Sequence, residues 1–151
     1  MAAQTLLTVK TPCIGVCSTA LGGFVCRGCK RFAHEVIDWN GYSHEQKMAI
    51  EQRLSGFLTT LVQNKLAIVN QDKLQSYLAN QSIRISRHRN LYCQSFELLK
   101  VYASQIEELG VLGLQLHSPY AAMSLKALCQ LIDEEFYALS SAYYERCFIS
   151  A

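Results

Sequence analysis

Apolar residues recur at helical spacing along most of this chain, with polar or glycine-containing breaks between the runs. Phe32, Val36 and Trp39 share one helical face and predict a short helix, which the turn at Asn40-Gly41 ends. No long run alternates between apolar and polar residues, so a strand is expected at most near residues 23–26. The pattern therefore predicts a mainly α protein.

Three long helices are predicted after this short one. Ser43 and Gln46 have the spacing of a capping box, which predicts a helix from residue 43 to about residue 69. A second helix is expected over residues 72–109, with a weak, polar middle at residues 82–90.

Two further features mark the last connection. Gly110 and Gly113 bracket an apolar loop. Ser118-Pro119 then predicts the start of a final helix, because Pro is tolerated at the first helical position. Because the connections are short, we expect the three long helices to pack antiparallel.

Four cysteines lie close together before the first helix, at Cys13, Cys17, Cys26 and Cys29. The spacing is C-x3-C, eight residues, then C-x2-C, and two such pairs can bring four sulfurs to one point. This predicts a four-cysteine metal site in a module of residues 1–41, with a helical domain over residues 42–151. Two disulfides or unrelated thiols are the alternatives.

The second cysteine pair has the form of a zinc knuckle, and basic residues surround it. Arg27, Lys30 and Arg31 are expected to offset the negative charge of the bound thiolates and to lower the pKa of the thiols. They are also candidates for contact with a partner or a phosphate group.

Composition excludes several classes of protein. The chain has 151 residues, of which 50% are hydrophobic and 17% are charged, so it can bury a core but has few surface charges. The amino terminus lacks the pattern of a signal peptide, and no apolar run is long enough to span a membrane. We therefore expect a cytoplasmic protein, in which clustered thiols indicate metal binding.

Residues 12–54 resemble a small bacterial family catalogued as domain of unknown function 1289 and often labelled predicted iron–sulfur proteins. The resemblance rests on Pro-Cys-Ile-Gly-Val-Cys at 12–17, Cys-Arg-Gly-Cys-Lys-Arg at 26–31, and then Glu35, Trp39, Ser43 and Glu45. It implies a four-cysteine site at the same four positions and no established reaction. Family members more often have Gly where Lys30 stands and have shorter connections between the cysteine pairs.

The identity of the metal is left open by the spacing. The knuckle form favours Zn²⁺, whereas the resemblance favours a [2Fe–2S] or [4Fe–4S] cluster, and either takes four thiolates. A closed four-thiolate zinc site has no open position for water, so we expect a non-enzymatic protein.

Other candidate residues are weaker. His34 and His44 are alternative ligands, and Cys93, Cys129 and Cys147 are expected to be small buried apolar residues. A basic cluster at Arg84, Arg87, His88 and Arg89 is a solvated helix face or a contact for phosphate or an acidic protein.

We expect this chain to be a regulator that docks on a larger complex, such as transcription or translation machinery. Few surface charges, the apolar loop and the division between basic residues 61–100 and acidic residues 101–151 favour a protein partner. A redox or oxygen-sensing iron–sulfur protein is the first alternative, and a nucleic-acid-binding protein is the second. The oligomeric state is not indicated.

Overall fold

The computed structural model describes residues 11–13, 23–81 and 85–149, and this part of the chain is mainly α-helical, as predicted. It contains five α-helices and two short strands. The helices are α1 (Ala33–Asp38), α2 (His44–Gln63), α3 (Gln71–Ala79), α4 (Leu91–Tyr102) and α5 (Leu125–Phe148), and the strands are β1 (Leu66–Ile68) and β2 (Leu114–Leu116). No helix in these ranges is long and apolar enough to cross a membrane.

Contacts between residues group the chain into two compact units. One comprises Met1–Leu54 and Tyr137–Ala151, and the other comprises Ser55–Phe136. The predicted division into residues 1–41 and 42–151 is a statement about which parts fold independently. A grouping of contacts does not test independent folding, so this division stays a prediction.

The capping box predicted at Ser43 is present. The Gln46 backbone N–H donates to Ser43 Oγ at 3.2 Å, and the Ser43 N–H donates to Gln46 Oε1 at 2.8 Å. Two of the four unpaired N–H groups at the start of α2 are satisfied in this way. The helix ends at Gln63 and not near residue 69, because Leu66–Ile68 leave it to pair with a second strand.

The single helix predicted over residues 72–109 is wrong, because two side-chain caps each begin a separate helix. Asn70 Oδ1 accepts from the Lys73 N–H at the start of α3, and Asn90 Oδ1 accepts from the Cys93 N–H at the start of α4, both at 3.1 Å. The segment before α4 is held by Glu97, whose carboxylate accepts from the N–H and the hydroxyl of Ser86. The prediction of three long helices is therefore replaced by five helices.

The apolar loop predicted between Gly110 and Gly113 is instead a 3₁₀ turn, Leu109–Leu112, followed by β2. β2 pairs antiparallel with β1, and Leu116, Gln115 and Leu114 lie opposite Leu66, Ala67 and Ile68. The spacing of apolar residues could not reveal these strands, because each has only three residues and forms by hydrogen bonding to the other strand.

The last helix starts later than predicted. Ser118-Pro119 begins a 3₁₀ turn, Ser118–Tyr120, and α5 begins at Leu125. Ser124 is the effective cap, since its Oγ accepts from the Ala127 N–H at 3.1 Å. Both serines fit the capping preference, and the preference alone does not choose between them.

The unit Ser55–Phe136 has a conventional apolar core. Its fully buried apolar side chains, each at most 2% exposed, come from all four helices that enter the unit, from the 3₁₀ turn and from both strands: Leu58, Val62, Leu66, Leu74, Leu78, Cys93, Leu98, Leu99, Leu112, Leu114, Leu128 and Ile132. Lys65 is also buried, and its ammonium forms an ion pair with Glu135. Because burying an unpaired ammonium is costly, Glu135 allows Lys65 to occupy this position.

Gly113 holds the two strands beside the start of α3. Its φ is +72°, in the left-handed region, and a Cβ atom there would lie 2.2 Å from the carbonyl oxygen of Asn70. Its own carbonyl accepts from the N–H groups of Val69 and Asn70 at 2.8 and 3.1 Å. Only glycine satisfies both the backbone angle and this close approach.

We therefore expect Gly113→Ala to lower the free energy of unfolding by at least about 2 kcal/mol, from backbone strain and displacement of Asn70. Gly110→Ala is the matched control, because a Cβ at Gly110 meets nothing within 4 Å. It should change stability by less than about 0.5 kcal/mol. Equal midpoints of urea unfolding for the two variants would show that the contact between Gly113 and Asn70 does not require glycine.

Candidate metal centre

The second predicted cysteine pair lies on a buried turn. Cys26 and Cys29 are 2% and 8% exposed and lie three residues apart. Cys13 is described and exposed, whereas Cys17 lies outside the described residues. The structure therefore brings together Cys26 and Cys29 of the predicted set.

A short backbone hairpin shapes this turn. Val25 and Phe32 form an isolated antiparallel bridge, so the strand expected near residues 23–26 is reduced to one pair. Inside the bridge, the Cys26 N–H donates to the Arg31 carbonyl and the Lys30 N–H donates to the Cys26 carbonyl, both at 2.8 Å. Both cysteines thus lie in the closed end of the hairpin.

Lys30 occupies the position that requires unusual backbone angles. Its φ is +68°, in the left-handed region that glycine adopts most readily. The side chain is buried, and its ammonium donates to the carbonyl oxygens of Arg27 and Gly28. These bonds hold the turn between the two cysteines.

Arg31 contacts a cysteine sulfur directly. Its side chain is buried, its Nε donates to Cys29 Sγ at 3.2 Å, and its guanidinium carbon lies 4.9 Å from the centre of the Trp39 ring. Burial raises the pKa of the Cys29 thiol above its ordinary value, although the hydrogen bond from Arg31 lowers it. The expected lowering of this pKa by a basic residue is confirmed for Arg31, but desolvation of the thiolate is larger and the pKa is raised overall.

Arg27 is the exposed cation of the three around the turn. Its guanidinium carbon lies 4.2 Å from the centre of the Tyr137 ring. Contact of Arg27, Lys30 or Arg31 with a partner stays a prediction, and the burial of Lys30 and Arg31 gives these two residues a role inside the module.

The described residues fit a thiolate-bound metal, but they do not by themselves complete a site. Two buried thiols share one turn, and a buried guanidinium donates to one sulfur, which suits an anionic ligand. Within residues 11–13, 23–81 and 85–149, no three Cys, His, Asp or Glu side chains come together as ligands. The predicted set also needs Cys17, while His34 and His44 are exposed.

A buried ion pair lies next to the cysteine turn and was not predicted. Glu35, in the first turn of α1, is 5% exposed, and its Oε1 accepts from the Phe32 N–H at 2.8 Å. Arg53, in α2, donates two hydrogen bonds to the same carboxylate. Its guanidinium carbon also lies 4.0 Å from the centre of the Phe32 ring. The sequence carries no capping-box signal here, because Phe32 has no side-chain acceptor, and none for Arg53.

Trp39 is the buried apolar anchor of the module, at 6% exposed. Its ring accepts two cations, because Lys47 Nζ lies 5.6 Å from the ring centre in addition to Arg31. Of the three residues expected to share one face, Phe32 and Trp39 are buried and Val36 is half-buried.

An aromatic face, defined as Phe24, His34, Tyr144 and Phe148, adjoins the turn. Phe24 stacks on Tyr144 with ring centres 5.0 Å apart, Tyr144 lies 5.0 Å from Phe148, and Phe148 lies 5.2 Å from His34. Phe24 and Phe148 are each 57% exposed, whereas Phe32, which contacts Tyr144 and Phe148, is buried. This face is an exposed apolar patch with a buried aromatic base.

The predicted basic cluster is only partly described. Arg87 is exposed and donates to the Leu78 carbonyl at 2.9 Å, whereas Arg84 lies outside the described residues. Arg89 is half-buried and His88 is exposed. Binding of phosphate or nucleic acid by Arg84, Arg87 and Arg89 stays a prediction.

The remaining cysteines differ in their surroundings. Cys93 and Cys129 are buried as expected, and burial raises the pKa of the Cys129 thiol to about 11. Cys147 is exposed, so the expectation of a buried residue is wrong there, because Cys147 lies in the last turn of α5.

We expect Glu35→Gln to lower the free energy of unfolding by about 3 kcal/mol, because Arg53 would remain largely buried without its counter-charge. Glu45→Gln is the control, since Glu45 is exposed in the first turn of α2 and should contribute less than about 1 kcal/mol. Chemical denaturation measures both variants. A similar loss in the two would show that the ion pair contributes no more than a surface charge.

Comparison with known proteins concerns this same segment. No curated protein and no solved structure matches the chain. Residues 11–57 match the model of the family described as protein of unknown function (DUF1289), which confirms the resemblance expected from the cysteine pairs and the residues that follow them.

Proposed function

We propose that this chain is a non-enzymatic metal-binding protein in which Cys13, Cys17, Cys26 and Cys29 hold one metal ion, with Zn²⁺ favoured. The observation that carries the proposal is the buried turn with Cys26 and Cys29 at its closed end and the Arg31 guanidinium on a sulfur. Such a turn supplies half of a tetrahedral thiolate site, and the first pair supplies the spacing for the other half.

Zn²⁺ would act as a cross-link between the two cysteine pairs. The unit Met1–Leu54 with Tyr137–Ala151 has few fully buried aliphatic side chains in its described part, and the turn relies on aromatic and charged contacts. A structural metal would contribute folding free energy there. A closed site of four thiolates also leaves no coordination position for a reacting water, which supports a non-catalytic role.

We further propose that the aromatic face binds a protein partner. Aromatic residues and arginine are enriched at interface centres, and the same unit also carries the exposed Arg27, three residues after Phe24. The partner would present an apolar pocket with an acidic rim. Transcription or translation machinery is suggested by analogy with other small cysteine–zinc modules alone.

The first experiment is elemental analysis and an absorption spectrum of the full chain purified without oxygen. We expect about one zinc per chain and no visible absorption. Iron with sulfide and a broad visible band would instead support the redox or oxygen-sensing alternative. Protein that folds with neither metal would contradict the proposal.

Cysteine variants then test the ligands. Cys26→Ser or Cys29→Ser should reduce metal content to below about a tenth after washing with a chelator and should loosen the cysteine module, with Cys13→Ser and Cys17→Ser acting alike. Circular dichroism should still show the helices of residues 72–149. Cys147→Ser is the matched control and should retain the metal, because Cys147 is exposed at the end of α5. Unchanged metal content in all four ligand variants would refute the site.

Substitution on the aromatic face tests the partner. Phe24→Ser combined with Phe148→Ser should weaken binding of a purified partner at least about tenfold, because both rings are half or more exposed and available for contact. Val111→Ser is the control, since Val111 is 59% exposed in the other unit. The unsubstituted chain and the two variants are each used as bait, and the proteins they capture are quantified. A captured partner is then purified, and its affinity for each of the three is measured by calorimetry. Equal affinities for all three would exclude this face.

A further inference from the structure

Arg31 is the charged side chain whose surroundings the proposed metal site explains best. It follows Cys29 by two residues, is 3% exposed, and donates through Nε to Cys29 Sγ. An arginine buried to this extent needs an acceptor of matching charge, and a neutral thiol is a weak one.

The Trp39 ring fixes the orientation of this guanidinium. The guanidinium carbon lies 4.9 Å from the ring centre, and Trp39 is itself buried. A planar guanidinium can stack on a ring with its face while its edge donates hydrogen bonds, which a lysine ammonium does not reproduce. Arg31 is therefore held with an N–H directed at the sulfur.

A four-thiolate site with a divalent metal carries a net charge of about −2, and burying such an anion requires nearby positive groups. A charge-assisted hydrogen bond to a ligand sulfur also withdraws electron density from it, so it changes how strongly that sulfur donates to the metal. Arg27, the exposed cation of the same turn, lies on Tyr137 and serves as an internal comparison.

We propose that Arg31 is a positioning residue of the metal centre, which fixes the donor strength of Cys29 and the affinity of the site through its hydrogen bond to Sγ. This inference rests on the proposed metal-binding function. Arg27 also stands two residues from Cys29, but the proposal assigns this role to Arg31 alone.

The test uses the full chain, emptied of metal and refilled with Zn²⁺ or with Co²⁺ as a spectroscopic probe. Arg31→Gln should weaken Zn²⁺ affinity by about 10- to 100-fold in chelator competition. In the Co²⁺ form it should move the sulfur-to-cobalt charge-transfer band to longer wavelength, because the sulfur becomes more electron-rich. Arg27→Gln should change affinity by less than about threefold and leave the band in place.

Arg31→Lys separates charge from hydrogen-bond geometry and is available if the glutamine variant does not fold. It should recover part of the affinity while the band stays shifted, because the charge remains and the fixed Nε–H is lost. An unshifted band in the folded Arg31 variants would overturn the role of Arg31, as would equal effects of Arg27→Gln and Arg31→Gln. Failure of the unsubstituted protein to take up either ion would overturn the metal site and this inference together.

Discussion

The Glu35 carboxylate connects the elements on which the cysteine turn rests. It accepts from the Phe32 N–H at the start of α1 and from both terminal nitrogens of Arg53 in α2, so one buried group orients two helices. Arg53 in turn covers the Phe32 ring, and the Phe32 backbone pairs with Val25 to close the turn. A buried carboxylate and guanidinium tolerate burial because each is the other's partner, which makes the geometry specific as well as stable.

Charge and aromatic rings replace aliphatic packing around the turn. Arg31 and Lys47 lie over Trp39, Arg53 lies over Phe32, and Arg27 lies over Tyr137. Cation–π contacts of this kind gain strength when they are desolvated, as around the buried Trp39 and Phe32 rings. The other unit, Ser55–Phe136, is instead stabilised by leucine-rich packing. The two units therefore obtain stability from different interactions, and a metal would contribute most to the first.

Local signals predicted the helical class, the capping box of α2, the shared face of Phe32 and Trp39, and the cysteine pair on its turn. Each depends on residues within a few positions of one another, such as Ser43 with Gln46 or Cys26 with Cys29. The same signals were wrong over residues 72–109 and at Ser118-Pro119. There, Asn90 and Ser124 cap the helices that form. Local signals could not select these two caps, because other residues of the chain have an equal intrinsic preference for the cap position.

What the sequence determined by itself is the periodicity of its helices and the spacing of its cysteines, because both are repeated within short stretches of chain. Tertiary structure decided the rest through contacts between distant residues. Arg53 finds Glu35 eighteen positions away. β1 exists because β2 pairs with it across the chain, and Gly113 is needed because Asn70 lies against it. Tertiary structure likewise decided whether a basic residue near the cysteines faces solvent or a sulfur. Arg27 and Arg31 are both arginines within two residues of a cysteine, and they differ in packing, against Tyr137 and Trp39 respectively.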